Sequence, residues 1–80
     1  MPRTRSVPPP QPLPAREILA INLRRHRTER NWTQEDLAAY SGLDRSFIAH
    51  VERQARNISL DNLEKLAIAL DVPIARLLDY

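Results

Sequence analysis

Residues 34–53 read QEDLAAYSGLDRSFIAHVER, and their spacing decides the fold. From Gln34, a small residue (Ala38) stands four positions on and a glycine (Gly42) eight on, with apolar Ile48 and Val51 at fourteen and seventeen. Two short helices joined by a tight turn need this arrangement. Ala38 and Val51 are small enough to let the helices cross closely, and Gly42 can adopt the positive φ that ends the first of them. Asp44 is placed to cap the second helix by accepting from its free N–H groups. Such a pair, with an outward-facing second helix, is the helix-turn-helix that lays a recognition helix in the major groove. The stretch therefore predicts a small sequence-specific DNA-binding protein.

The recognition-helix candidate spans roughly residues 45–54. Turned by 100° per residue, it separates an inward face centred on Ile48 and Val51 from an outward one bearing Arg45, Ser46, Ala49, His50 and Arg53. Any surface helix is polar outside, so polarity alone decides little. The position of these residues near the helix N-terminus is more informative, because that end reaches base edges. Arg45 is the best candidate reader, its guanidinium fork matching O6 and N7 of guanine. Ser46 and His50 can bond a base or a phosphate. Ala49 can admit the duplex closely or touch a thymine methyl.

Outward from this stretch the chain reads as all-α. Ala15 to about Arg30 predicts a helix with Ile18, Leu19 and Leu23 on its apolar side, Ile21 at the margin of that side, and Arg24, Arg25 and Arg30 largely on the other. Thr33 suits the N-cap of the helix that runs to Ser41, with Glu35 and Asp36 at the positive end of its dipole. Ser59 suits the cap of a helix over residues 60–70, with Leu60, Leu63, Leu66, Ala67 and Leu70 at helical spacing. Pro73 fits the first turn of a short last helix carrying Ile74, Leu77 and Leu78. No alternating strand pattern occurs, so five helices and no sheet are expected. Residues 1–14 hold six prolines and two arginines and predict a disordered tail ahead of one domain over residues 15–80. The tail's PPPQPLP run reads as a spacer or as a ligand for an aromatic groove.

Composition narrows the functional class. The chain has no cysteine, which excludes disulfides and thiolate metal sites. No apolar run approaches the roughly 18–20 residues of a membrane span, so a soluble cytoplasmic, nucleoid-associated protein is expected. Net charge is only +2, but residues 1–56 carry ten arginines against six acids, while residues 57–80 carry two bases against four acids. The first part suits a polyanion and the second suits packing or a protein partner. A single glycine rules out a glycine-rich phosphate loop. His26 and His50 have no metal-ligand spacing around them, and the paired acids Glu35 and Asp36 are explained by their helix start. No enzyme activity, metal or cofactor is expected.

The run WTQEDLAAYSGLDRSFIAHVERQARNISLDNLEKLAIAL (residues 32–70) resembles the lambda-repressor/Cro-like helix-turn-helix domains. Within them it is most similar to the short controller proteins of restriction–modification systems and related small repressors. TQEDLA, the turn glycine, LDRSFI, VER and RNISL fall in family order, and the likeness covers about residues 15–80. It implies base contacts by Arg45 and Ser46, a further contact by His50, and phosphate contacts by Gln34, Arg56 and Asn57. Phe47 stands where close relatives have a tyrosine that touches the DNA backbone, and it lacks that hydroxyl. The resemblance also pairs Arg27 with Glu52 inside the fold, which agrees with the need of an inward carboxylate for a partner. Two departures stand out: His26 where relatives often carry leucine, and Gln54 where a small residue or glycine is common.

One such domain reads only a few base pairs. A two-fold dimer would read a palindrome with half-sites about one helical turn apart. Ile74, Leu77, Leu78 and Tyr80 could form a self-complementary patch, where family members often dimerise; otherwise this helix closes the domain's own core. The leading expectation is a dimeric transcriptional regulator that represses, or activates through a contact with RNA polymerase. The competing one is an antitoxin-like module that binds a toxin through its tail or C-terminal patch, with DNA binding secondary.

Overall fold

The computed structural model describes residues 13–79. Those residues form five helices and no strand: α1 (Ala15–Glu29), α2 (Gln34–Ser41), α3 (Arg45–Glu52), α4 (Leu60–Leu70) and α5 (Ile74–Leu77). The expected all-α, five-helix architecture is what the chain adopts. The disordered tail expected over residues 1–14 lies almost wholly outside the described residues, as does Tyr80.

The start signals work as local chemistry requires, with one exception. Thr33 caps α2 in a closed capping box: its hydroxyl accepts from the N–H of Asp36, and the Asp36 carboxylate accepts from the N–H of Thr33 at 2.8 Å. Ser59 caps α4 by accepting from the N–H of Asn62 at 3.1 Å. Asp44 occupies the N-cap position of α3 in extended backbone, but its carboxylate makes no cap hydrogen bond. The expected Asp44 cap is therefore wrong in its chemistry. The exposed first turn of α3 can leave its amides to water, so nothing forces that bond to close.

The stop signals share one device. A left-handed residue follows each of the first four helices: Asn31, Gly42, Gln54 and Asp71, at φ 59°, 75°, 62° and 57°. In each case the next N–H reaches back to a carbonyl five residues earlier: Trp32 to Arg27, Leu43 to Ala38, Ala55 to His50 and Val72 to Ala67. These are Schellman closures, which satisfy carbonyls that the helix end would otherwise orphan. Trp32, Leu43 and Val72, the residues after the turn, then pack on the core. The α3 closure ends that helix at Glu52, two residues before the expected Gln54. It also explains why glycine suits position 54. Gln54→Gly should raise stability by about 0.5–1 kcal/mol, because it relieves a left-handed side-chain clash at some cost in chain entropy. A thermal melt showing no gain would contradict this account.

The core joins Leu19 and Leu23 of α1, Leu37 of α2, Ile48 and Val51 of α3, Leu63, Leu66 and Leu70 of α4, and Leu77 of α5. The wheel is right for these and wrong at two places. Leu60 is 80% exposed and Ile21 43% exposed. Leu60 stands in the first turn of α4, where helical spacing gives a direction but does not supply a facing element. Asn22, a polar residue for which the sequence reading has no role, is buried inside the α1 stripe between Ala20 and Leu23. Its amide nitrogen donates to the carbonyls of Leu77 (3.1 Å) and Asp79 (2.6 Å), and its oxygen accepts from Arg25. This ties the chain's end onto α1. The signal was a polar residue at an inward position of the stripe.

Candidate nucleic-acid interface

The inward face of α3 is fixed on three residues: Ile48 is fully buried, and Val51 and Glu52 nearly so. That leaves Arg45, Ser46 and Arg53 exposed, with Ala49 and His50 half-buried on the flanks. A shallow cleft beside the turn gathers Ser46, Phe47, His50 and Arg56. Phe47 is half-buried and packs against the core, so its ring serves the fold while one edge lines the cleft. Arg56 and Asn57 are exposed on the segment that links α3 to α4. The side chain of Asn57 accepts from Arg16 at the start of α1, which anchors that segment.

Glu52 is the hub that holds α3 in place. Arg27 grips it with two bonds, Nε to Oε2 at 2.7 Å and Nη2 to Oε1 at 2.9 Å, and uses Nη1 on the Trp32 carbonyl at 2.9 Å. Such a fork on a carboxylate is the strong, geometrically specific form of an ion pair. Gln34 adds a bond from Nε2 to Oε1 at 3.1 Å. Arg24 donates to the Glu52 carbonyl at 2.9 Å, closing the C-terminus of α3. Burial disfavours the charge on Glu52, but the bonds from Arg27 and Gln34 and the charges of Arg27 and Arg24 outweigh it. The carboxyl is held below its ordinary value. The bond to Glu52 likewise raises the Arg27 pKa. The expected Arg27–Glu52 pair is thus present.

Gln34, expected at a phosphate, is tied to Glu52 and keeps one amide hydrogen for another acceptor. The basic balance of the first part of the chain also looks different in three dimensions. Arg16, Arg24, Arg27 and Arg30 donate to other parts of the fold, and Arg25 donates to Asn22 within α1. Arg30, for example, closes the C-terminus of α4 through the Leu70 carbonyl at 2.7 Å and lies 5.9 Å from the Trp32 ring centre. Among the described arginines of the helix-turn-helix region, Arg45, Arg53 and Arg56 are the exposed ones beside the outward face of α3. Arg45 Nε lies 3.6 Å from Glu35 Oε1. His26 is pushed below its ordinary value by burial and by the charges of Arg25 and Arg30, so it is neutral at physiological pH.

The C-terminal patch is only partly as expected. Leu77 is fully buried and belongs to the core, because α5 packs on α1 and α4 and turns it inward. Leu77 therefore cannot serve a dimer surface. Ile74 and Leu78 remain 38% and 46% exposed. No described helix is long and apolar enough to cross a membrane.

Residues 23–77 match the helix-turn-helix family. A Neisseria meningitidis protein described as a hypothetical transcription factor is 48% identical over 63 residues, covering 79% of this chain and 59% of that protein. The chain thus spans less than two thirds of that relative's length. The restriction–modification controller protein C.AhdI of Aeromonas hydrophila superposes with a TM-score of 0.75 at 47% identity, over 78% of this chain and 94% of that one. The controller protein C.Esp1396I, solved as a tetramer with its natural 35 base-pair operator, superposes at 0.73 with 33% identity, over 79% and 83% of the two chains.

Proposed function

The chain belongs to the helix-turn-helix family, among relatives that include restriction–modification controller proteins, and from that premise we propose that it regulates transcription as a sequence-specific DNA-binding dimer. One observation carries the reading. α3 is locked on its inner side by Ile48, Val51 and the Glu52 hub, while Arg45, Ser46 and His50 stand on its outer side with Arg53 and Arg56 beside them. A rigid helix presenting hydrogen-bonding side chains between phosphate-seeking arginines is what major-groove reading requires.

Arg45, Ser46, Ala49 and His50 face the bases in this reading. Gln34, Phe47, Arg53, Arg56 and Asn57 lie along the backbone. Exposed Ile74 and Leu78 supply the self-complementary contact, and two copies read a palindrome. Double-stranded DNA is the partner, and the protein acts where the DNA is, in the cytoplasm. Occupancy of a promoter-overlapping operator represses, and occupancy beside one activates through polymerase. Control of its own operon fits the controller relatives.

Selection of bound duplexes from a random pool near physiological salt tests the proposal. The expected product is a palindrome with half-sites about one helical turn apart. A pool that stays random would mean that binding is electrostatic only and would end this reading.

A further inference from the structure

We propose that Glu35 is a positioning residue for base reading: it holds the Arg45 guanidinium by its Nε edge and turns the two Nη groups toward the groove. This rests on the assignment of Arg45 as a base reader. Glu35 lies in the first turn of α2 and Arg45 opens α3, so the turn between the helices brings the two together. Their separation is 3.6 Å, from Arg45 Nε to Glu35 Oε1. Among the described residues each is the other's sole ion-pair partner.

The side chains are 64% and 75% exposed, so the pair adds little to folding. A stabilising role at the helix start is also covered without it. Asp36 already closes the capping box and places a second carboxylate in the same turn. A free arginine has many rotamers to lose when it meets a base. A carboxylate on the Nε side removes many of them in advance and leaves the Nη pair, one of the forks that fit guanine O6 and N7. The same carboxylate repels nearby phosphates. Glu35 therefore weakens binding to every sequence and strengthens the preference for the right base, which is how a specificity device differs from an affinity device.

The test uses the full chain and the random duplex pool, with wild type, Glu35→Gln, Arg45→Ala and the double variant compared at one salt concentration. Binding to a fixed duplex of unrelated sequence is measured alongside. Glu35→Gln should leave the melting temperature nearly unchanged, raise binding to the unrelated duplex, and reduce preference at the base pair read by Arg45 by about two- to five-fold, the range of an exposed pair. In the Arg45→Ala background the same change should cost no further preference. Unchanged preference in Glu35→Gln while Arg45→Ala loses it overturns the inference and leaves the base-reading assignment standing. So does an equal loss with and without Arg45. If Arg45→Ala itself changes no preference, the base-reading assignment fails, and this inference fails with it.

Discussion

Arg27→Ala is expected to lower the unfolding free energy at neutral pH by about 3–5 kcal/mol, the typical cost of removing one partner from a buried ion pair. For a domain of this size that is a fall in Tm of more than about 10 °C. The magnitude follows from what remains. Glu52 is 3% exposed and loses two of its three side-chain hydrogen bonds, keeping the one from Gln34 and a 3.7 Å approach of Arg24 Nε. The Trp32 carbonyl loses its donor as well. A surface pair would cost less than about 1 kcal/mol, so a melt that moves by only a few degrees would show Glu52 to be effectively solvated.

The same variant should have a distinctive pH dependence. In the wild type the Glu52 pKa is depressed, so the group contributes stability above its unfolded value of about 4.5, and that contribution is lost as pH falls through the lower folded value. Without Arg27, burial is opposed only by Gln34 and Arg24, and the folded pKa moves upward. The gap in stability between variant and wild type should therefore be widest near neutral pH, and narrow as pH falls through the variant's raised folded value toward the wild type's lowered one. A gap that stays constant from pH 7 to pH 4 would place the loss in packing and not in charge.

Features that depend on nearest neighbours along the chain are legible in the sequence. The Thr33 cap is one of them, and the structure closes it further with the carboxylate of Asp36, which the sequence offers only as a dipole partner. Gly42 adopts the left-handed turn its position demanded, and a side chain there would meet nothing within 4 Å, so the demand is purely one of backbone conformation. The Arg27–Glu52 pair, 25 residues apart, was reached through family likeness and the need of an inward acid for a partner. What stayed hidden depends on which element lies opposite. Leu60 and Ala67 occupy one helical stripe, yet one is open and the other sealed. The sequence points to Leu77 as part of a dimer patch, and only the packing of α5 on α1 and α4 assigns it to the core. Arginine counts misled for the same reason, since a sequence cannot show that Arg24 and Arg30 close the ends of α3 and α4. Gln34 and Glu35 read as helix-start residues, but across the turn they meet Glu52 and Arg45.

Arg45→Ala and Arg56→Ala should separate reading from gripping. If Arg45 bonds guanine through its fork, alanine removes about 1–3 kcal/mol of discrimination at one base pair of each half-site. A two-fold dimer suffers that loss twice on its palindrome, so affinity for the selected site should fall by at least about thirty-fold, while binding to unrelated duplex changes much less. Arg56 stands on the exposed segment after α3, and in the proposed reading its guanidinium meets phosphates and not base edges. Its loss should weaken all sequences alike and reduce the slope of log K against log salt by about one per contact removed. The two variants therefore differ in kind, and competition titrations at two salt concentrations resolve them. Neither arginine is part of the core, and both are exposed, so misfolding does not supply an alternative cause. Should Arg45→Ala weaken selected and unrelated duplexes by the same factor, Arg45 is a phosphate anchor. The base-reading face of α3 would then have to be sought around Ala49, His50 and Arg53.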